Sequence, residues 1–157
     1  MAIRKTRKPA MLRPLGRSLT IGLLRAREAV MTRFRPVLRR HGVTEQQWRV
    51  MRVLAERRSS DASALAAASC IHPASLSRIL PALGQTGMLR ARPSSADSRR
   101  LVVELTALGR RRFADIGAES EAVYRRIERE VGRRTLESTL QQVNRLAARL
   151  GTPAASR

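Results

Sequence analysis

Apolar side chains recur at spacings of three and four from residue 18 onward. Leu19, Leu23, Ala26, Val30, Phe34, Val37 and Leu38 line one face, which predicts a long helix to about residue 40. Ser18 stands as its N-cap and Gly42 as its stop, while Pro36 inside the pattern predicts a kink or a break near Arg35. A second helix opens at Thr44, with Gln47 as its capping-box partner and Trp48, Met51, Val53, Leu54 and Ala55 on its buried side. It ends at the polar run Arg57-Arg58-Ser59-Ser60.

Residues 62–106 predict a short helix, a tight turn at Cys70-Ile71-His72-Pro73, a second helix ending near Gly87, and two short apolar runs at 88–92 and 101–105. Pro73 suits the first turn of a helix, where its missing N–H costs nothing, and Gly87 suits the position just past the end. Leu65, Ala66 and Ala68 face inward on the first helix of this pair, and Leu76, Ile79, Leu80 and Leu83 on the second. Ser75, Ser77 and Arg78 are left on the outer side near the N-terminal end, small donors and one long cation, as a helix entering a major groove requires. The polar loop Pro93-Ser94-Ser95-Ala96-Asp97-Ser98-Arg99-Arg100 is the tip of a hairpin, a wing whose cations reach a phosphate backbone or a narrow minor groove.

Thr106 caps a further helix carrying Leu108, Phe113, Ile116, Val123, Ile127 and Val131 to about Gly132. A last helix over 134–150 places Leu136, Leu140, Val143, Leu146 and Leu150 at near-heptad spacing. These terminal helices have no task inside a winged-helix unit, so their stripes predict a twofold homodimer with two reading helices about one DNA turn apart. The expected fold is mainly α: a winged helix-turn-helix with a small β-hairpin wing and long N- and C-terminal dimerisation helices. The expected organisation is a flexible basic arm at 1–17, one domain at 18–150 and a tail at 151–157. Within that domain the reading lobe spans about 44–106, and the dimerisation helices span about 18–41 and 106–150.

Charge narrows the partner. Thirty-two basic residues stand against twelve acidic ones, a formal net charge of +20, and Lys5 and Lys8 are the only lysines. A surplus of this size argues for a polyanion, and arginine's planar fork suits phosphate and guanine edges. The four aromatics, Phe34, Trp48, Phe113 and Tyr124, are too few and too scattered to form base-stacking platforms, which favours duplex over single strands. One cysteine, Cys70, excludes an intramolecular disulfide. With neither a signal peptide nor a long apolar run, a cytoplasmic bacterial protein is expected, with no membrane contact. His41 and His72 stand alone, no carboxylate pair has catalytic spacing and no glycine-rich phosphate loop occurs, so no enzyme, metal site or cofactor is expected.

The order of elements over about 18–150 resembles the MarR family of winged-helix regulators. Thr44-Glu45-Gln46-Gln47-Trp48-Arg49-Val50-Met51 is similar to the family's second-helix signature. Asp97-Ser98-Arg99, followed by Leu101-Val102-Val103-Glu104-Leu105-Thr106-Ala107-Leu108-Gly109, is similar to its wing and the entry to its fifth helix. More narrowly, residues 24–31 with Phe34-Arg35-Pro36, then 45–50, then Pro73-Ala74-Ser75-Leu76-Ser77-Arg78-Ile79-Leu80-Pro81, resemble the homoprotocatechuate-degradation operon regulators, whose relatives include regulators of nicotinate catabolism. The resemblance implies that Arg99 is the wing's minor-groove or phosphate contact and that Asp97 holds the wing's basic residues in place.

The candidate DNA-contacting set is therefore Ser75, Ser77, Arg78, Arg92, Asp97, Arg99 and Arg100. For an effector, Trp48 offers an apolar wall, and Arg17, Arg25 and Arg49 offer cation forks for a small aromatic carboxylate. The expected function is a dimeric repressor of an aromatic catabolic operon, bound to a pseudo-palindromic operator and released by a hydroxylated aromatic acid. Its rival is a nucleoid or RNA-coating structural protein that binds by charge alone.

Overall fold

The computed structural model describes residues 14–95, 97 and 99–151. Most of the expected basic arm, the tail beyond residue 151, and Ala96 and Ser98 in the wing loop lie outside the described residues. Packing divides the chain into two compact units, one ending at Arg33 and one beginning at Phe34.

In the first unit, a 3-10 turn at Leu15–Arg17 leads through Ser18 into α1 (Leu19–Arg40). Ser18 Oγ lies 3.5 Å from the Ile21 N–H, so the predicted cap is in place but weak. Leu15, Leu19, Leu23, Leu24 and Val30 are all exposed. At the other end, α1 continues through Pro36, so no break occurs near Arg35. The proline ring is exposed, while Phe34, Val37 and Leu38 around it are buried and hold the last turns. Gly42 takes φ +65°, which lets the Val43 N–H return to the Leu38 carbonyl and close the helix end.

The second unit is built on α2 (Glu45–Arg57). Thr44 and Gln47 form the predicted capping box, with backbone-to-side-chain hydrogen bonds of 2.9 and 3.2 Å. Its buried residues are Trp48, Val50, Met51 and Leu54; Val50 replaces the expected Val53 and Ala55, which are half-buried. Next come α3 (Ala62–Ser69), α4 (Pro73–Gln85), α5 (Ala107–Val131) and α6 (Arg133–Leu150). On α3, Leu65 and Ala66 are buried as expected, whereas Ser69 takes the inward place expected of Ala68. Leu76, Ile79 and Leu83 of α4 are buried, and the helix runs on through an exposed Pro81.

The hairpin gains a strand. β2 (Leu89–Pro93) and β3 (Leu101–Leu105) pair antiparallel, and β1 (Ser59–Ser60) joins the other edge of β3, giving the order β1-β3-β2. Ser59 faces Glu104 and Ser60 faces Val103. Two polar residues carry no periodicity, so this strand is absent from the sequence pattern.

The exit from the sheet is locked to the exit from α4. Thr106 donates its backbone N–H to the Met88 carbonyl (3.0 Å) and its hydroxyl to the Gly87 carbonyl (2.6 Å), and accepts from the Gly109 N–H (3.0 Å). Gly109 then lies so close to the Met88 backbone that a Cβ there would sit 2.1 Å from the Met88 oxygen. Beyond this first turn α5 buries Ile116, Ser120 and Ile127, while α6 buries nothing. Tyr124, Val131, Leu140, Val143 and Leu150 are exposed.

Candidate nucleic-acid interface

The turn between α3 and α4 is short and tightly bonded. Asp61 caps α3 by accepting from the Ala64 N–H at 2.9 Å, and Cys70 ends the helix in the left-handed conformation, φ 51° and ψ 46°. Cys70 is exposed, although a half-buried residue suits such a turn. Arg49 reaches across from α2 and donates through Nη1 to the carbonyls of Ser69 and Cys70, both at 3.0 Å. A cation on the last carbonyls of α3 satisfies acceptors the helix leaves open and opposes its dipole. His72 then caps α4, its Nδ1 accepting from the Ala74 N–H at 3.2 Å, and Pro73 occupies the first turn as predicted.

This scaffold fixes the outer face of α4. Ser75 is half-buried; Ser77 and Arg78 are exposed. Ser77 donates its hydroxyl hydrogen to the Ala74 carbonyl at 2.8 Å, which leaves its oxygen lone pairs facing outward as acceptors. Arg78 has no side-chain partner among the described residues, so its guanidinium is available to a ligand.

The wing arginines divide into two kinds. Arg92 donates through Nε to Glu104 at 2.8 Å and through Nη1 to the Pro93 carbonyl at 3.0 Å. Arg90 donates to the other oxygen of Glu104 at 2.7 Å. The bonds from Arg92 and then Arg90 hold the Glu104 carboxyl below the usual carboxylate range. Arg100 donates to Asp61 at 2.9 Å, the same carboxylate that caps α3. Arg92 and Arg100 of the candidate set are thus engaged within the protein.

Arg99 is of the other kind. Asp97 accepts the Arg99 backbone N–H at 3.0 Å through its carboxylate and the Arg100 N–H at 3.0 Å through its carbonyl, and the Ser94 N–H closes the loop on the Arg100 carbonyl at 2.7 Å. Bending the backbone this way presents Arg99 outward, exposed and without a side-chain partner among the described residues.

Of the candidate effector residues, Trp48 is buried and stacks on Phe113 with centroids 4.9 Å apart and planes inclined by 25°. Phe34 and Tyr124 form a second, edge-on pair at 4.8 Å. Arg49 is bonded through Nη1 to the helix-turn-helix carbonyls, and its Nε is buried with no hydrogen-bond partner among the described residues. Arg17 ends the 3-10 turn, and Arg25 is exposed on α1 within the first unit. Sequence reasoning gives no functional place to Asp61, Arg90, Glu104 or Phe113: Phe113 shows only as a member of the α5 apolar stripe, Asp61 has a local signal as a capping residue ahead of an alanine-rich helix, and Arg90 and Glu104 have none.

The arrangement can hold duplex DNA through an outward helix face flanked by a cationic hairpin, and it matches known proteins. Residues 43–101 match the MarR family. The HTH-type transcriptional regulator FarR of Neisseria gonorrhoeae is 44% identical over 117 residues, covering 74% of this chain and 80% of that protein. The homoprotocatechuate degradative operon repressor of Escherichia coli is 46% identical over 112 residues, covering 71% and 75% respectively. The crystal structure of NadR in complex with 4-hydroxyphenylacetate superposes with a TM-score of 0.74 at 37% identity, covering 92% of this chain and 98% of that one. With a winged helix-turn-helix in place and these relatives matching most of its length, the chain belongs to the MarR family of DNA-binding transcriptional regulators and is not an enzyme.

Proposed function

We propose that the protein is a homodimeric repressor of an aromatic catabolic operon, bound to a pseudo-palindromic operator and released by a small hydroxylated aromatic acid. The observation that carries this reading is the division of the arginines in the reading lobe. Arg90, Arg92 and Arg100 are paired with carboxylates of the protein, whereas Arg78 on α4 and Arg99 on the wing have no side-chain partner among the described residues and can meet base edges and phosphates. Ser75 and Ser77 accompany Arg78 as base or phosphate contacts, and Asp97 sets the position of Arg99. Arg92 and Arg100 contribute their charge and the placement of the wing.

Support for the ligand comes from relatives. One is named for homoprotocatechuate degradation and another was crystallised with 4-hydroxyphenylacetate. The buried Trp48 ring gives such an acid an apolar wall. The spare Nε of Arg49 is the proposed carboxylate partner. Support for the dimer comes from α6, which carries apolar residues along its length yet buries none of them, and from the exposed leucines of α1.

The test is a gel shift with the intergenic DNA upstream of the protein's own gene and with a shuffled duplex, with and without 4-hydroxyphenylacetate, alongside sedimentation. The expected outcome is a dimer that prefers the intergenic site and leaves it when the acid is added. Equal affinity for both duplexes and no response to the acid would support a charge-only nucleic-acid coat instead.

A further inference from the structure

Beneath the root of the wing lies a cavity of about 650 Å³, at the meeting of the end of α2, the β2-β3 ladder and the first turns of α5. Its apolar wall is made by Leu54, Leu105 and Phe113. Three arginines line it, Arg58, Arg92 and Arg110, against the single carboxylate of Glu104. Neither Trp48 nor Arg49 lines it, so it is distinct from the effector site proposed above.

The charges in this cavity do not cancel. Glu104 is already bonded by Arg92 and by Arg90, leaving nothing for the other two cations. Arg110 donates through Nη1 to the Leu105 carbonyl at 2.6 Å, a neutral acceptor that orients the guanidinium without neutralising it. Arg58 has no side-chain partner among the described residues, and its backbone sits at φ 68° and ψ −49°, a costly conformation for a residue with a Cβ. That corner turns the chain from α2 into β1 and fixes the position at which Arg58 borders the cavity.

We propose that this cavity binds an organic anion with a flat apolar body, an aryl carboxylate or sulfonate, with its ring against Leu105 and Phe113 and its charge between Arg58 and Arg110. A neutral aromatic would leave both guanidiniums unmatched, and an inorganic anion would leave the apolar wall unused. The occupant touches both wing strands and both flanking helices, so it braces the wing root. Through Phe113, which stacks on Trp48, it also adjoins the aromatic wall of the proposed effector site.

The test is fluorescence titration of the full chain with 8-anilino-1-naphthalenesulfonate, and calorimetry with 2-naphthoate against 2-naphthylmethanol. Both anions are expected to bind, and the alcohol at least about tenfold more weakly. Arg58→Gln with Arg110→Gln should raise the dissociation constant for 2-naphthoate about tenfold or more, and Arg58→Lys should retain most of the affinity. Arg58 is exposed and has no side-chain partner among the described residues, so Arg58→Gln should melt like the parent, while Arg110→Gln loses the bond to the Leu105 carbonyl and its affinity is read at a temperature well below its own melt. In the Trp48→Leu variant, 2-naphthoate binding should persist while release from the operator by 4-hydroxyphenylacetate is blunted. This separates failure of the cavity assignment from failure of the effector assignment. Unchanged 2-naphthoate affinity in the double glutamine variant, equal binding of the alcohol, or loss of 2-naphthoate binding in Trp48→Leu alone would overturn the proposal.

Discussion

Asp61 and Arg100 join the wing to the helix-turn-helix. One carboxylate oxygen of Asp61 accepts the Ala64 N–H and caps α3, while the other takes the Arg100 guanidinium at 2.9 Å. A single side chain thus sets the start of α3 and tethers the base of the wing loop, so the two DNA-facing elements hold a fixed relation. Asp61→Ala should cost about 1 kcal/mol of stability from the lost cap and also weaken duplex binding. Asp61→Asn keeps an acceptor for the cap and should restore most of the stability but not the binding. Urea denaturation paired with gel shifts checks this, and the expected result is that stability and affinity separate in the asparagine variant.

Arg99 and Arg100 are neighbours with different tasks. Arg99→Ala should weaken operator and random duplex together and reduce the salt slope by about one contact. Arg78→Ala should cost about 1–3 kcal/mol chiefly on the specific site. Arg100→Ala should act as Asp61→Asn does, because both break the same ion pair. Titrations at several salt concentrations distinguish the three.

Gly109 is required by the close approach of α5 to the Met88 carbonyl. A methyl group there meets backbone, which does not yield as a flexible side chain would. Gly109→Ala should therefore destabilise by about 1–3 kcal/mol or more, despite alanine's higher helix propensity. Gly117 has open space around its position, so Gly117→Ala should be neutral or stabilising. Thermal melts of the two variants should move in opposite directions.

Acid should loosen the wing. Glu104 has its carboxyl held below the usual range by Arg92 and Arg90, and Glu119 by Arg40 and His41. A depressed carboxyl stabilises the fold at pH values above its unfolded value, about 4.3 for glutamate, and that contribution is lost as pH falls through the lower folded value. Glu104→Gln should therefore reduce stability at neutral pH and flatten its decline in acid. Denaturation midpoints between neutral pH and pH 3 check the slope.

Local features were legible in the sequence, and features that join distant segments were not. The Thr44 capping box, the Pro73 start and Gly87 end of α4, and the Thr106 cap all lie within a few residues of their partners, so periodicity and cap chemistry place them. β1 escaped because two serines have no pattern and owe their strand to β3. Glu104 lies among apolar neighbours on β3, and only the antiparallel register brings Arg90 and Arg92 to it. Arg49 carries a contact that its place on α2 does not reveal: its Nη1 reaches the carbonyls at the end of α3, twenty residues on in the chain. The wing loop ends in two adjacent arginines that composition treats alike. Only Asp61, 39 residues away in the chain but 2.9 Å from Arg100 in the fold, makes one a tether, while the other has no side-chain partner among the described residues.

The central claim is that this lobe reads a specific duplex through Arg78 and Arg99 and lets go when an aromatic acid binds. The most direct measurement is fluorescence anisotropy of the labelled intergenic duplex against a shuffled duplex at matched salt, with and without 4-hydroxyphenylacetate. The account predicts at least about a thousandfold preference for the intergenic site and a marked loss of that preference on adding the acid. Equal affinities that fall together with salt, unchanged by the acid, would contradict it.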